Sequence, residues 1–103
     1  MELSSAILSQ LRINTLVVHP VTYAVAVGKQ GAEGVWGPVC MSPKITTGAG
    51  DHFNCGFCLG RLLGLDNASS LLCGVATSGY YVRTAQSPTV ADLGELMTHW
   101  PGR

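Results

Sequence analysis

Two chemistries are written into thirteen residues, GAGDHFNCGFCLG, at positions 48 to 60. The first half, Gly48-Ala49-Gly50-Asp51, has the make-up of a loop entering a helix. The first N–H groups of a helix have no intrahelical acceptor, and the helix dipole gathers partial positive charge there. Glycines at 48 and 50 leave no side chain over those donors. The product is a cradle for an anion such as a phosphoryl group, with the Asp51 carboxylate at its lip. A loose phosphoryl-transfer transition state needs little early proton abstraction. A weak base such as a carboxylate is then enough to take the proton of an attacking hydroxyl. The same four residues also describe an ordinary helix N-terminus, and alone they do not choose between the two.

The second half, Cys55-Gly56-Phe57-Cys58, offers a redox dithiol or half of a metal site. Redox pairs are activated by seating the first cysteine at a helix N-terminus. Here Gly50 and Asp51 hold that place. Cys55, Cys58, Leu59 and Leu62 recur at i, i+3, i+4 and i+7, an apolar stripe expected to pack inward. A zinc site would recruit His52, Cys55 and Cys58, with Cys73 or Cys40 as fourth ligand. Steps of three residues drift around a helix and no second compact pair exists, so no metal ligands are assigned. His19 follows a strand and reads as packing on its neighbours. Tyr80 and Tyr81 read as pocket or interface residues, Trp36 and Trp100 as core or interface anchors. Arg61 and Arg83 are expected in solvent, within reach of a phosphate.

The elements that position these residues follow from periodicity. Leu3, Ile7 and Leu11 predict the end of a helix over 2–12. The run 14–20, stopped by Pro20, reads as a buried strand, and 22–28 as a second. GKQGAEG reads as a glycine-rich turn, with Val35 and Trp36 returning as a short hairpin partner. Residues 37–44, with two prolines, form an extended crossover. A helix then runs from Asp51 to Leu63. Gly56, Gly60 and Gly64 make a bare face along it, each glycine costing about 1 kcal/mol relative to Ala. Close backbone approach should offset that cost, and Gly64 can cap the C-terminus. Asp66 or Asn67 caps the next helix, whose core face is expected at Leu72, Val75, Gly79 and Val82. TAQSP breaks it, and Thr89 with Asp92 opens a last helix reaching about Met97, ended by Trp100-Pro101.

The chain has 103 residues, with six basic and six acidic side chains and only 12% charged residues. A zero net charge offers no field to recruit nucleic acid or an anionic membrane. A domain this short hides only about 60–65% of its unfolded surface. So apolar a chain is therefore expected to be an oligomer, a membrane protein or one piece of a larger domain. No run approaches the roughly 20 apolar residues of a membrane span. The start lacks the basic and apolar regions of a signal peptide. A cytoplasmic location, with the four cysteines as thiols, is expected.

Residues 45 to 64, ITTGAGDHFNCGFCLGRLLG, resemble the C-terminal motif of the ribokinase-like (PfkB) carbohydrate kinases, D-T-x-G-A-G-D-x-F-x-A-G-F. Thr46, Gly48, Ala49, Gly50, Asp51, Phe53, Gly56 and Phe57 match it. The resemblance implies an α/β fold, a ribokinase-like, Rossmann-type three-layer domain. Residues 1–103 would be its C-terminal third, a few strands followed by a helix bundle. It implies a sugar or nucleoside substrate, with ATP and Mg2+ as cofactors and most magnesium ligands outside this chain. Asp51 would be the catalytic base, and Gly48, Ala49 and Gly50 the anion hole. Thr47, Val75, Thr77, Ser78 and Gly79 would bind the nucleotide.

Three departures stand out. Ile45 replaces the motif's Asp, which in some members helps bind a monovalent cation. Cys55 replaces Ala. His19-Pro20-Val21-Thr22-Tyr23-Ala24 stands where a T-x-G-x-x-G nucleotide loop is usual. The resemblance thus implies an ATP-dependent sugar kinase that is incomplete in this chain. The alternative is a catalytically incomplete remnant that serves in oligomerisation or partner binding. In either case the missing N-terminal part of the domain or a second copy would complete the structure.

Overall fold

The computed structural model describes residues 3, 6, 15–19, 23–29, 31–38 and 40–100. Apart from Leu3 and Ala6, the helix expected over 2–12 lies outside them, as do Pro20, Val21 and Thr22. Three strands form one antiparallel sheet in the order β1 (Thr15–Val18), β2 (Tyr23–Gly28), β3 (Gly31–Trp36). Thr15 pairs with Gly28 and Val18 with Val25. On the other side of β2, Tyr23 pairs with Trp36 and Gly28 with Gly31. The β2–β3 connection is therefore only residues 29 and 30. The expected turn over GKQGAEG is corrected: its second half is strand, and Gly31, at φ 124°, takes the left-handed backbone that so tight a reversal requires.

Three helices follow: α1 (Ala49–Leu62), α2 (Asn67–Thr84) and α3 (Val90–Thr98). Gly64, at φ 83°, ends α1. Its N–H reaches the Arg61 carbonyl and the Leu65 N–H reaches that of Gly60, each at 3.0 Å, the paired closure of a Schellman motif. Asp66 caps α2 through Ser69 N–H at 2.8 Å. Thr89 and Asp92 form a reciprocal capping box on α3. The backbone N–H of Lys44 donates to the Val82 carbonyl at 2.7 Å and pins the crossover to the end of α2. Among the described residues no helix is long and apolar enough to cross a membrane.

The core sits where the helices meet β2. Ala24, Ala26, Phe53, Leu71 and Val75 are buried together, with Val17, Val35, Phe57 and Trp100 around them. Helix α2 packs on β2 and β3, and α1 lies against α2. The face of α1 that meets α2 is the glycine face. A Cβ on Gly56 would lie 2.5 Å from the Cys73 carbonyl oxygen, and one on Gly60 2.9 Å from Ser70 Cα. The apolar stripe expected to point inward points out instead. Cys55 and Cys58 are exposed, and Leu59 and Leu62 are 44% and 84% exposed. Bare backbone lets two helices approach more closely than leucine and cysteine side chains would, and Phe53 then fills the core from the same side of α1. On α2 the expected core face holds at Val75 and Gly79, which are buried, but at its start Leu71 is fully buried in place of Leu72, which is 37% exposed.

The caps carry a pH dependence. The Ser69 backbone N–H, then its side chain, holds the Asp66 carboxyl below its ordinary 3.8. Thr89 does the same for Asp92. A carboxyl depressed in the folded chain stabilises it above the unfolded pKa. That contribution disappears as pH falls through the folded pKa. Acid titration of the Ser69 and Thr89 amide NMR shifts should give midpoints below 3.8. Midpoints at or above that value would contradict the caps.

Candidate active site

A cavity of about 800 Å3 opens between the sheet, the crossover and the helices. Its α2 wall is Val75, Ser78, Gly79 and Val82, which recur at helical spacing on one face. The crossover contributes Pro38, Cys40, Met41, Pro43 and Thr46; α1 contributes Ala49, Gly50 and Phe53. His19 stacks on Phe53 with ring centroids 4.2 Å apart, as its packing role predicted, and also lines the cavity. Tyr23 and Trp36 meet edge to face at 5.7 Å on the sheet side. Pro38 reaches so close to Gly79 that a Cβ there would overlap its ring. Gly79 is therefore a close approach between α2 and the crossover as well as part of the cavity wall.

Of the residues expected to bind nucleotide, Val75, Ser78 and Gly79 line this cavity, and Thr77 and Thr47 do not. Thr77 lies roughly 200° around the helix from Val75. Its hydroxyl donates to the Cys73 carbonyl at 2.7 Å, and the side chain abuts Gly56. Thr47 presents its carbonyl to Tyr81, whose hydroxyl donates to it at 2.8 Å. Thr46, one residue earlier, stands at the cavity instead.

The 48–51 turn opens α1 beside this cavity. Gly48 has φ 92°, and a Cβ there would lie 3.0 Å from the Tyr81 hydroxyl, so only glycine fits on both counts. No side chain caps α1. The Ala49 N–H is committed to the Thr46 carbonyl at 3.1 Å. The first-turn amides of Gly50 and Asp51 have no acceptor within the helix. Of the three amides expected to form the anion hole, that of Ala49 is therefore already paired. Asp51 adds its own N–H, while its exposed carboxylate sits in the same first turn.

Sequence reading did not anticipate the side chains behind the turn. The His52 ring stacks on Tyr81 with centroids 3.7 Å apart. Its two nitrogens meet the Gly48 carbonyl and the Ser87 hydroxyl, each at 2.8 Å. Nothing in the spacing of His52, Tyr81 and Ser87 announces this cluster. Tyr80, on the neighbouring face of α2, keeps its proton to higher pH through burial and the negative charge of the nearby Asp92 carboxylate. Arg61 is exposed and hydrogen-bonded to Asn67 at 3.0 Å. Arg83, expected in solvent, has its Nε and Nη2 buried without an acceptor among the described residues. No group of three or more His, Cys, Asp or Glu side chains converges for a metal among the described residues.

A phosphofructokinase-2 variant from Escherichia coli superimposes on the chain with a TM-score of 0.78. The match has 18% identity and covers 96% of this chain and 32% of that one, so it speaks to fold alone. The fold is thus that of part of a ribokinase-like α/β domain, with the GAGD turn opening α1. The model of the prokaryotic ketohexokinase family matches residues 1–100, and the chain belongs to that family. A ketohexokinase of Haloferax volcanii is 37% identical over 90 residues, 87% of this chain and 24% of that protein. The chain thus spans about a quarter of the curated relative it matches.

Proposed function

We propose that this chain is the C-terminal part of an ATP-dependent kinase that phosphorylates a hydroxyl of a ketohexose. The observation that carries the reading is the uncapped N-terminus of α1, with Asp51 in its first turn beside a nucleotide-sized cavity. Asp51 accepts the proton of the attacking hydroxyl. The free amides of the 48–51 turn hold the transferring phosphoryl group. Val75, Ser78 and Gly79 form the wall for the base of ATP, a role suited to a largely apolar cleft of this size. Magnesium supplies charge neutralisation on the phosphates. Its protein ligands, like the residues that select the sugar, are assigned to the rest of the domain. The reaction is placed in the cytoplasm.

A second reading, that the chain acts by association alone, draws on its exposed apolar side chains. Met41 is 90%, Leu62 84% and Val90 79% exposed. Further polypeptide covering these positions would stabilise the chain, whether that is the rest of a kinase domain or a second copy.

One experiment separates the two readings. The isolated chain, given ATP, magnesium and a panel of ketohexoses, should form no sugar phosphate. Grafted into the Haloferax volcanii ketohexokinase in place of the quarter it matches, it should support turnover. A folded graft with no turnover on any sugar favours the association reading. Steady Asp51-dependent turnover by the isolated chain would show that the catalytic unit is already complete.

A further inference from the structure

We propose that His52 and Tyr81 are positioning residues that aim the amides of the 48–51 turn at the transferring phosphoryl group. This rests on the kinase reading above. Two consecutive carbonyls of the turn are gripped by one stacked pair of rings. The Tyr81 hydroxyl donates to the Thr47 carbonyl at 2.8 Å. The His52 Nδ1 lies 2.8 Å from the Gly48 carbonyl, which also accepts the His52 backbone N–H at 3.1 Å. A carbonyl only accepts, so Nδ1 carries the proton. Nε2 then accepts from the Ser87 hydroxyl in the neutral ring, at 2.8 Å. The rings lie within 13° of parallel, so neither can swing without the other.

The grip reaches the amides because the peptide group is planar. Holding the Thr47 carbonyl sets the direction of the Gly48 N–H, and holding the Gly48 carbonyl sets that of Ala49. The start of α1 is thereby fixed, and with it the direction in which the Gly50 and Asp51 amides point. A left-handed glycine with no side-chain cap is otherwise the most mobile way to begin a helix. The ring pair supplies from α2 and from within α1 the rigidity that the glycines give up. Ser87, from the segment between α2 and α3, holds the outer edge of the imidazole.

The test uses the 103-residue chain with inorganic phosphate as probe, followed by amide shifts in NMR spectra. In the native chain the Gly48, Gly50 and Asp51 amides should move with phosphate, and the imidazole nitrogen spectrum should show the Nδ1-protonated form. Tyr81→Phe keeps the stack and removes the bond to Thr47; His52→Phe removes both imidazole bonds. Tyr81→Phe should raise the phosphate dissociation constant about three- to ten-fold, the worth of one hydrogen bond, and His52→Phe at least as much, in a chain that stays folded by its amide spectrum. His52→Asn, with an amide nitrogen near the place of Nδ1, should restore most of the loss. If the native amides respond and both Phe variants bind phosphate equally well, the positioning role is wrong and the kinase reading stands. If the native amides do not respond, the anion site fails, and the positioning role with it.

Discussion

Asp51→Asn in the grafted kinase should lower kcat by about 10²- to 10⁴-fold, the range for loss of a positioned general base. Asparagine matches aspartate in size and keeps a side chain at the third position of α1. The side chain is exposed and free of intrahelical capping duty. Folding should therefore be preserved, and the thermal midpoint and the KM for sugar should stay close to those of the unsubstituted graft. The amide cannot accept the proton of the attacking hydroxyl, so the chemical step alone suffers. A kcat within a few-fold of the unsubstituted graft would remove Asp51 from the mechanism. A falling midpoint would instead give it a structural role that its exposure argues against.

Gly56→Ala should destabilise the chain, against the ordinary preference of a helix for alanine. In an exposed helix, alanine in place of glycine stabilises by about 1 kcal/mol. At position 56 the added carbon would sit 2.5 Å from both the Cys73 carbonyl oxygen and the Thr77 hydroxyl. A backbone oxygen cannot step aside as the tip of a long side chain can, so α1 and α2 must separate. Overpacking of this kind costs about 1–3 kcal/mol, and a backbone clash falls at the upper end. The net loss is then about 2 kcal/mol, a large share of a small domain's stability. It corresponds to a drop of about 10 °C in the unfolding midpoint. Gly94→Ala is the matched control, because nothing lies within 4 Å of a Cβ there. It should raise the midpoint. If the two substitutions shift the midpoint in the same direction, the close approach of the helices is not what holds them together.

The matched motif residues divide between these two predictions. Gly48, Gly50 and Asp51 belong to the turn, whereas Phe53, Gly56 and Phe57 belong to the packing behind it. Phe53 is buried between His19 and the helix α2, close against Gly74. The motif therefore specifies both a turn and the helix pair that holds it. A reader of the sequence sees one pattern, and the structure resolves it into two physical jobs.

What the sequence by itself determined is local. The caps at Asp66 and Thr89 and the stop at Gly64 each rest on bonds or backbone strain within a few residues, so their residue types announce them. β1 and β2 also follow from their own composition, whereas the glycine-rich first half of β3 becomes strand only by pairing with β2. Only the tertiary structure decided which face of α1 turns inward. A stripe of Cys55, Cys58, Leu59 and Leu62 is equally apolar in either orientation. The choice depends on α2 offering a backbone that bare glycines can approach. The same holds for Thr77, which a one-residue rotation along α2 assigns to packing while Ser78 faces the cavity. Likewise, His52 and Tyr81 meet only because the chain returns: Tyr81 bonds across 34 residues to Thr47, and His52 across 35 to Ser87. Contacts at such separation leave no periodic trace in the sequence, because their distance is set by the packing of whole elements.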